Sequence, residues 1–109
     1  MQIKDIPFSI VDWVLEDTTE VAGETGYAEQ RLVELGNLRL RQVVYAAGYR
    51  ADHWCERGHV LYVLSGQMIV ELKNGRHFPV HEGSSFQVAD GAPAHLVCTA
   101  NGCTVFIVD

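Results

Sequence analysis

The sequence predicts a single all-β domain, either a sandwich or a small barrel. From Tyr27 onward the chain divides into runs of about five to nine residues that are rich in Val, Leu, Tyr and Phe, and glycine-containing turns separate these runs. No segment shows convincing helical periodicity. The chain has 109 residues, which is enough for one domain with one hydrophobic core, so a second domain is not expected.

Turn signals divide this region into strands. Gly36-Asn37 and Ser65-Gly66 are interpreted as turns, and Asn74-Gly75 is a strong hairpin signal. A loop is expected at 47–52, and a second loop at 90–93 leads to His95. The predicted strands are 27–35, 38–46, 59–64, 67–72, 76–80, 85–88, 94–98 and 103–108.

Residues 1–26 are predicted to be an N-terminal packing segment followed by a loop, within one domain that covers 1–109. The part from 16 to 26 is polar and acidic and has no strand pattern, so a surface loop is favoured over a lid. The part from 1 to 14 is expected to pack on the barrel or on a second subunit, which predicts a homodimer. Its apolar residues are Ile3, Ile6, Phe8, Ile10, Val11 and Trp13.

Charge and hydropathy narrow the range of partners. The formal net charge is −6 and the eight basic residues are scattered, so neither nucleic acid nor an anionic membrane is expected as a partner. A small molecule or another protein is favoured. No stretch resembles a secretory signal or approaches the ~20 apolar residues that span a bilayer, and a soluble, cytoplasmic protein is therefore expected.

Three histidines and one cysteine suggest a metal site. His53, Cys55 and His59 lie within seven residues, and His95 follows in the last third of the chain. In an extended strand His53 and Cys55 share one face, and the turn that contains Gly58 returns His59 toward the same cavity. A thiolate and neutral imidazoles suit Zn, Fe, Cu or Ni better than Mg or Ca. The predicted ligands of a divalent transition metal are therefore these four residues, with zinc favoured.

Three carboxylates lie beside these residues. Asp52 and Asp90 are close enough in sequence to hydrogen-bond a ligand imidazole, although surface turn carboxylates are an equal alternative. Glu56 replaces His59 as a ligand if the loop folds differently. The remaining cysteines, Cys98 and Cys103, flank a turn and could pair across a hairpin, but small buried apolar residues are the favoured interpretation.

Two segments resemble the sequence motifs of the cupins. The segment 48–66 resembles the first motif, in which a glycine is followed by His-x-His, a glutamate and a second glycine. Here His53 takes the first histidine position, Cys55 the second, and His59 stands where the glutamate is usual. The segment 83–99 resembles the second motif, with His95 in the place of its histidine ligand.

The chain also resembles a group of small single-domain cupins, the DHCW-motif cupin-fold group, through Asp52-His53-Trp54-Cys55. The resemblance implies a single cupin-type jelly-roll β-barrel, a metal in the pocket and a homodimer. Cys55 replaces a histidine and His59 replaces a glutamate, so the activities of better-known cupins do not transfer.

Three functions are compatible with this pattern. The first is a metal-dependent enzyme that acts on a small organic molecule, of the oxygenase or isomerase type. The second is a non-catalytic barrel that binds a metal or small ligand, with a structural zinc site of three histidines and one cysteine. The third is a redox or metal sensor in which Cys55 is oxidised. No residue identifies a general base, so the sequence leaves open whether the protein is an enzyme.

Overall fold

The computed structural model describes residues 2–91 and 93–109. Within these residues the chain forms one short 3₁₀ helix, Trp13–Leu15, and strands that all pair antiparallel. The strands are β1 Thr19–Ala22, β2 Tyr27–Leu35, β3 Leu38–Tyr45, β4 His59–Leu72, β5 His77–His81, β6 Ser85–Val88, β7 His95–Cys98 and β8 Cys103–Val108. Among the described residues, no helix has the length and apolar character needed to cross a lipid bilayer.

Strand β4 belongs to two sheets. Its first half lies between β8 and β6 in a sheet with the order β1-β2-β3-β8-β4-β6, and its second half lies between β5 and β7. The register shifts between Val63 and Ser65, where the strand passes from one sheet to the other. The two sheets enclose one core, and the predicted all-β jelly-roll barrel is confirmed.

The predicted turn at Ser65-Gly66 is wrong, because β4 continues through it. Gly66 has a φ of 81°, and a Cβ at this position would overlap the carbonyl oxygen of Gly102. Glycine is needed here because the strand bends and because β8 approaches closely. The glycine therefore marks a bend and a close backbone contact, and the chain does not reverse.

The core follows the period of two along β3, β4 and β8. Alternate residues of these strands are buried, namely Val43, Tyr45, Leu61, Val63, Cys103, Val105 and Ile107. On each of these strands the inward face continues to one end, the end that lies nearest the predicted metal ligands. Arg41 precedes Val43 by two residues, His59 precedes Leu61 by two, and Asp109 follows Ile107 by two. The alternation that builds the core therefore also turns these three polar side chains inward.

The N-terminal region contains a strand that its sequence does not indicate. β1 pairs with β2 over its whole length, so the expectation of a loop without strands at 16–26 is wrong. β1 is an edge strand with only Val21 partly buried, and it is held by backbone pairing, which leaves no burial pattern in the sequence. Ahead of it, Trp13 packs edge-on against Phe106 with the ring centroids 5.5 Å apart.

Candidate metal centre

Three of the four predicted ligands come together at one end of the barrel. Cys55, His59 and His95 each offer one ligand atom, and these atoms all lie within 4.8 Å of one another. Cys55 lies in the loop between β3 and β4, His59 is the first residue of β4, and His95 is the first residue of β7. The three side chains thus reach the same point from three separate parts of the chain.

A two-residue backbone bridge places Cys55 beside His95. The N–H of Cys55 donates to the carbonyl of His95 at 2.7 Å, and the N–H of His95 donates to the carbonyl of Cys55 at 3.0 Å. Residues that face each other in such an antiparallel pair carry their side chains on the same side. The relative position of thiol and imidazole is therefore fixed by the backbone.

The two imidazoles meet through their Nε2 atoms. His59 Nε2 and His95 Nε2 are 3.1 Å apart, and the rings are nearly perpendicular. Two nitrogens bound at 2.0–2.1 Å to one tetrahedral zinc ion would be about 3.3 Å apart. The observed separation fits two nitrogens that share one ion. Together with the soft sulfur of Cys55, the donor set suits a divalent transition metal.

The second nitrogen of each imidazole faces an oxygen. His95 Nδ1 lies 3.3 Å from the carbonyl oxygen of Pro93, an arrangement that favours a proton on Nδ1 and leaves Nε2 with its lone pair. His59 Nδ1 is buried, has no hydrogen-bond partner among the described residues, and lies 3.6 Å from Asp109 Oδ2. Histidine ligands of metals usually present this second nitrogen to a carbonyl or a carboxylate, so both residues fit that role.

Asp109 is a buried carboxylate held by two arginines. Its Oδ1 accepts from Arg39 Nε at 2.8 Å, and its Oδ2 accepts from Arg39 Nη2 and Arg41 Nη2 at 3.1 Å each. The side chain is only 1% exposed. Burial alone would raise the pKa of Asp109, but the hydrogen bond from Arg39 and the charge of Arg41 outweigh burial and lower it. A charged carboxylate therefore faces His59.

Burial keeps the two imidazoles neutral. Loss of solvation, with the nearby charges of His95 and Arg41, lowers the pKa of His59 to about 4. Loss of solvation also lowers the pKa of His95. A neutral imidazole is the form that binds a metal, so neither histidine needs to lose a proton at neutral pH.

His53 stands apart from this group. Its side chain is 75% exposed, and its Nδ1 lies 2.7 Å from Asp52 Oδ1. Asp52 and His53 form a bend, and only Cys55 of this segment has a strand-like bridge. The expectation of an extended strand from His53 to Cys55 is wrong, and the period of two does not apply there. His53 nevertheless lines the same cavity as the three grouped residues.

The carboxylates near the site have different partners. Asp52 contacts the imidazole of His53, whereas Asp90 Oδ1 accepts a hydrogen bond from the backbone N–H of Gly58 at 2.6 Å. A Cβ on Gly58 would lie 2.5 Å from the nitrogen of Asp90, so the loop before His59 requires glycine. Glu56 is exposed and lies outside the three-residue group, as judged on residues 2–91 and 93–109.

A small cavity opens at the grouped residues. Its volume is about 120 Å³, which corresponds to about four water molecules. Polar lining comes from Arg41, Tyr45, Tyr49 and the candidate ligands, and apolar lining comes from Ala51, Leu61, Leu96, Val97 and Ile107. The site is thus accessible to a small molecule only.

Phe86 borders the imidazoles in an edge-on arrangement, with its ring centroid 5.8 Å from those of His59 and His95. Phe86 and His95 also line a second cavity of about 350 Å³ with mainly apolar walls. Phe86 lies on β6, which pairs with β4 beside His59, and this position explains its contact with the imidazoles.

The three cysteines are free in the structure. Cys98 is partly buried and Cys103 is buried, which agrees with the interpretation of both as small apolar residues. Burial raises the pKa of the Cys103 thiol to about 11 and also raises that of Cys98. Cys55 differs from both in having two imidazoles beside it.

Solved structures resemble this chain in fold. The RmlC-like cupin of Shewanella frigidimarina has a TM-score of 0.78 at 15% identity, and the match covers 95% of this chain and 91% of that one. A predicted oxalate decarboxylase of Thermotoga maritima has a TM-score of 0.76 at 13% identity, with 92% and 96% covered. The ectoine synthase of P. lautus has a TM-score of 0.75 at 15% identity, with 93% and 76% covered.

Neither a family model nor a curated protein matches the sequence. The structural likeness is therefore a likeness of fold, and it agrees with the barrel and with the motifs in the sequence. The chain is a small cupin-fold protein.

Proposed function

We propose that this cupin-fold protein binds one divalent transition metal ion through Cys55, His59 and His95. The observation that carries the proposal is the convergence of two neutral imidazole nitrogens, 3.1 Å apart, on a thiol that the backbone holds beside one of them. Zinc is the favoured ion because the donors are soft and include no carboxylate, and iron, nickel and copper are alternatives.

We propose further that the ion is presented to a small organic ligand. Three protein ligands leave a coordination position open, whereas a structural zinc site is closed by four. The exposed His53 and the 120 Å³ cavity favour the open arrangement. A bound ion would supply Lewis acidity there, and iron or copper would also supply redox chemistry. The chain's own residues orient the ligand and limit its size.

The principal alternative is a closed structural site. His53 lines the cavity from its rim, and a movement of the loop that brings its imidazole inward would complete a set of three histidines and one cysteine. In that arrangement the ion stabilises the barrel and no position remains for a ligand. A redox sensor based on Cys55 is the third possibility, because a thiolate ligand is also a site of oxidation.

Metal content of untagged protein tests the proposal. Cys55→Ala, His59→Ala and His95→Ala are each expected to lose the ion and keep the fold. His77→Ala serves as a control because His77 is exposed and lies outside the three-residue group. Unchanged metal content in the three variants would remove these residues from the coordination shell. His53→Ala distinguishes the two arrangements, since an open site keeps its ion and a closed site loses affinity.

A homodimer in the cytoplasm completes the proposal. The N-terminal segment exposes large apolar side chains, with Phe8 93%, Ile10 85% and Val14 82% exposed. The outer face of β4 exposes Tyr62 and Leu64 as well. Apolar surface of this extent is usual at protein interfaces, and a second copy of the chain is the partner that we propose.

A further inference from the structure

We infer that the small ligand at this site carries a carboxylate and that Arg41 binds it. The inference rests on the proposed metal site for the place where the ligand sits, but its support comes from other residues. Arg41 lines the same 120 Å³ cavity as Cys55, His59 and His95. Arg41 is therefore close to the position that a ligand of the ion would occupy.

Positive charge is in excess beside the cavity. The guanidinium groups of Arg39, Arg41 and Arg57 lie within 3.6 Å of the side-chain carboxylate of Asp109. One carboxylate balances one of these charges. Glu34 faces Arg39 across β2 and β3 but is exposed to solvent. Arg41 therefore shares the Asp109 carboxylate with two other guanidinium groups, and a ligand with a negative charge would balance the excess.

Arg41 also has a hydrogen-bond donor to offer. Its Nη2 donates to Asp109, but its Nε is buried and has no partner among the described residues. Buried donors in folded proteins are rarely left without an acceptor. A carboxylate oxygen is the acceptor that guanidinium groups bind most strongly, because both groups are charged and planar.

Two phenols add further donors. Tyr45 and Tyr49 line the cavity with Arg41, and their ring centroids are 4.7 Å apart. Burial raises the pKa of both phenols, so they stay protonated and can donate. A carboxylate accepts several hydrogen bonds at once. One guanidinium and two phenols around a small cavity form a set of donors that suits such a group.

Matched pairs of probes test the inference. Acetate, pyruvate and oxalate are titrated calorimetrically into the protein, with and without cobalt, and acetamide, pyruvamide and oxamide serve as neutral analogues. At least one acid is expected to bind more tightly than its amide. Arg41→Gln is expected to weaken the binding of that acid by about 10–100-fold, as for the loss of a charged hydrogen bond, and to leave the affinity for the amide unchanged.

Arg76→Gln is the matched control, because the Arg76 guanidinium lies over Phe78 at 5.0 Å and not in the cavity. Equal binding of acids and amides, or no binding of any acid to wild-type protein, would overturn the inference. In the absence of cobalt, the comparison of acid with amide reports on the charges of the protein and not on the ion, and it needs no variant, so it stands even where Arg41→Gln unfolds. If the protein takes up no cobalt but still binds an acid in a way that depends on Arg41, the metal site is refuted and the carboxylate inference is not.

Discussion

His59 and His95 are 36 positions apart in sequence, yet their Nε2 atoms are 3.1 Å apart. Two neutral imidazoles at this distance can share one proton or one metal ion. Their opposite nitrogens face Asp109 and the carbonyl of Pro93, which leaves both Nε2 atoms available to a shared ion.

Asp109→Asn is expected to weaken metal binding by about 10–100-fold, as is usual when the carboxylate behind a histidine ligand is removed. The amide keeps the size of the side chain but loses the charge that faces His59 Nδ1. Metal affinity measured by competition with a chelator gives the result. Asp17→Asn, on the surface, is the control, and equal affinities in the two variants would show that Asp109 does not support the site.

The metal-free protein is expected to lose stability between pH 6.5 and 4. The pKa of His59 is lowered to about 4, so the unfolded chain takes up a proton on this imidazole over a range in which the folded protein does not. The free energy of unfolding therefore falls with falling pH, by on the order of 3 kcal/mol. The lowered pKa of Asp109 acts only below its usual value of 3.8, outside this range.

Urea unfolding at a series of pH values measures this effect. His59→Gln is expected to reduce the pH dependence, because glutamine does not titrate, and the lowered pKa of His95 accounts for the part that is left. A stability of the wild-type protein that does not change between pH 6.5 and 4 would contradict the burial of a neutral His59.

Gly58→Ala is expected to destabilise the fold by about 1–3 kcal/mol, because the added Cβ meets the backbone of Ala89 and Asp90 at 2.5–2.8 Å. It is also expected to weaken metal binding, since Gly58 precedes His59. Gly75→Ala is the comparison, with nothing within 4 Å of the added atom but a φ of 93°. Gly75→Ala is expected to lower the folding stability by about 1 kcal/mol and to leave the metal affinity unchanged.

Bound metal is expected to protect Cys55 from alkylation by iodoacetamide, whereas Cys103 is buried and stays unmodified with or without metal. Mass spectrometry of peptides after brief labelling measures the modification at each cysteine. Cys55→Ser supplies the baseline for the other two thiols. Labelling of Cys55 at the same rate with and without the ion would argue against a metal–sulfur bond.

Phe8→Glu is expected to shift the protein from dimer to monomer, because a charge at this exposed apolar position opposes burial in an interface. Light scattering at several concentrations gives the mass. Lys4→Glu, also exposed but already charged, is the control. A monomeric mass of the wild-type chain would refute the dimer itself.

The strands were predictable wherever alternation and turn residues agree. β2, β6 and β8 have the predicted bounds, because each begins after a glycine-containing turn or loop, and β2 and β6 also end at one. The sequence pattern wrongly divides β4 into two strands, since a glycine that permits a bend in a strand looks like a glycine in a turn. β1 left no pattern because it is held through its backbone at a sheet edge.

The sequence predicts which residue types form the site, but it does not predict how they are arranged in space. Strand parity predicts that His53 and Cys55 share one face, but this segment is a bent loop, and Cys55 is placed by its bridge to His95 instead. That bridge joins distant parts of the chain, so local spacing cannot reveal it. Asp109 carries no motif, although the alternation of Val105 and Ile107 would have put it on the inward face.

The division of β4 between two sheets has a consequence for how the protein unfolds. His59 lies in the half of β4 that pairs with β6 and β8, whereas His95 pairs with Leu72 in the other sheet. An ion held by both histidines would therefore act as a cross-link that closes a loop of 36 residues, much as a disulfide does. Its removal would lower the free energy of unfolding, while β4 would still join the two sheets through its backbone pairing.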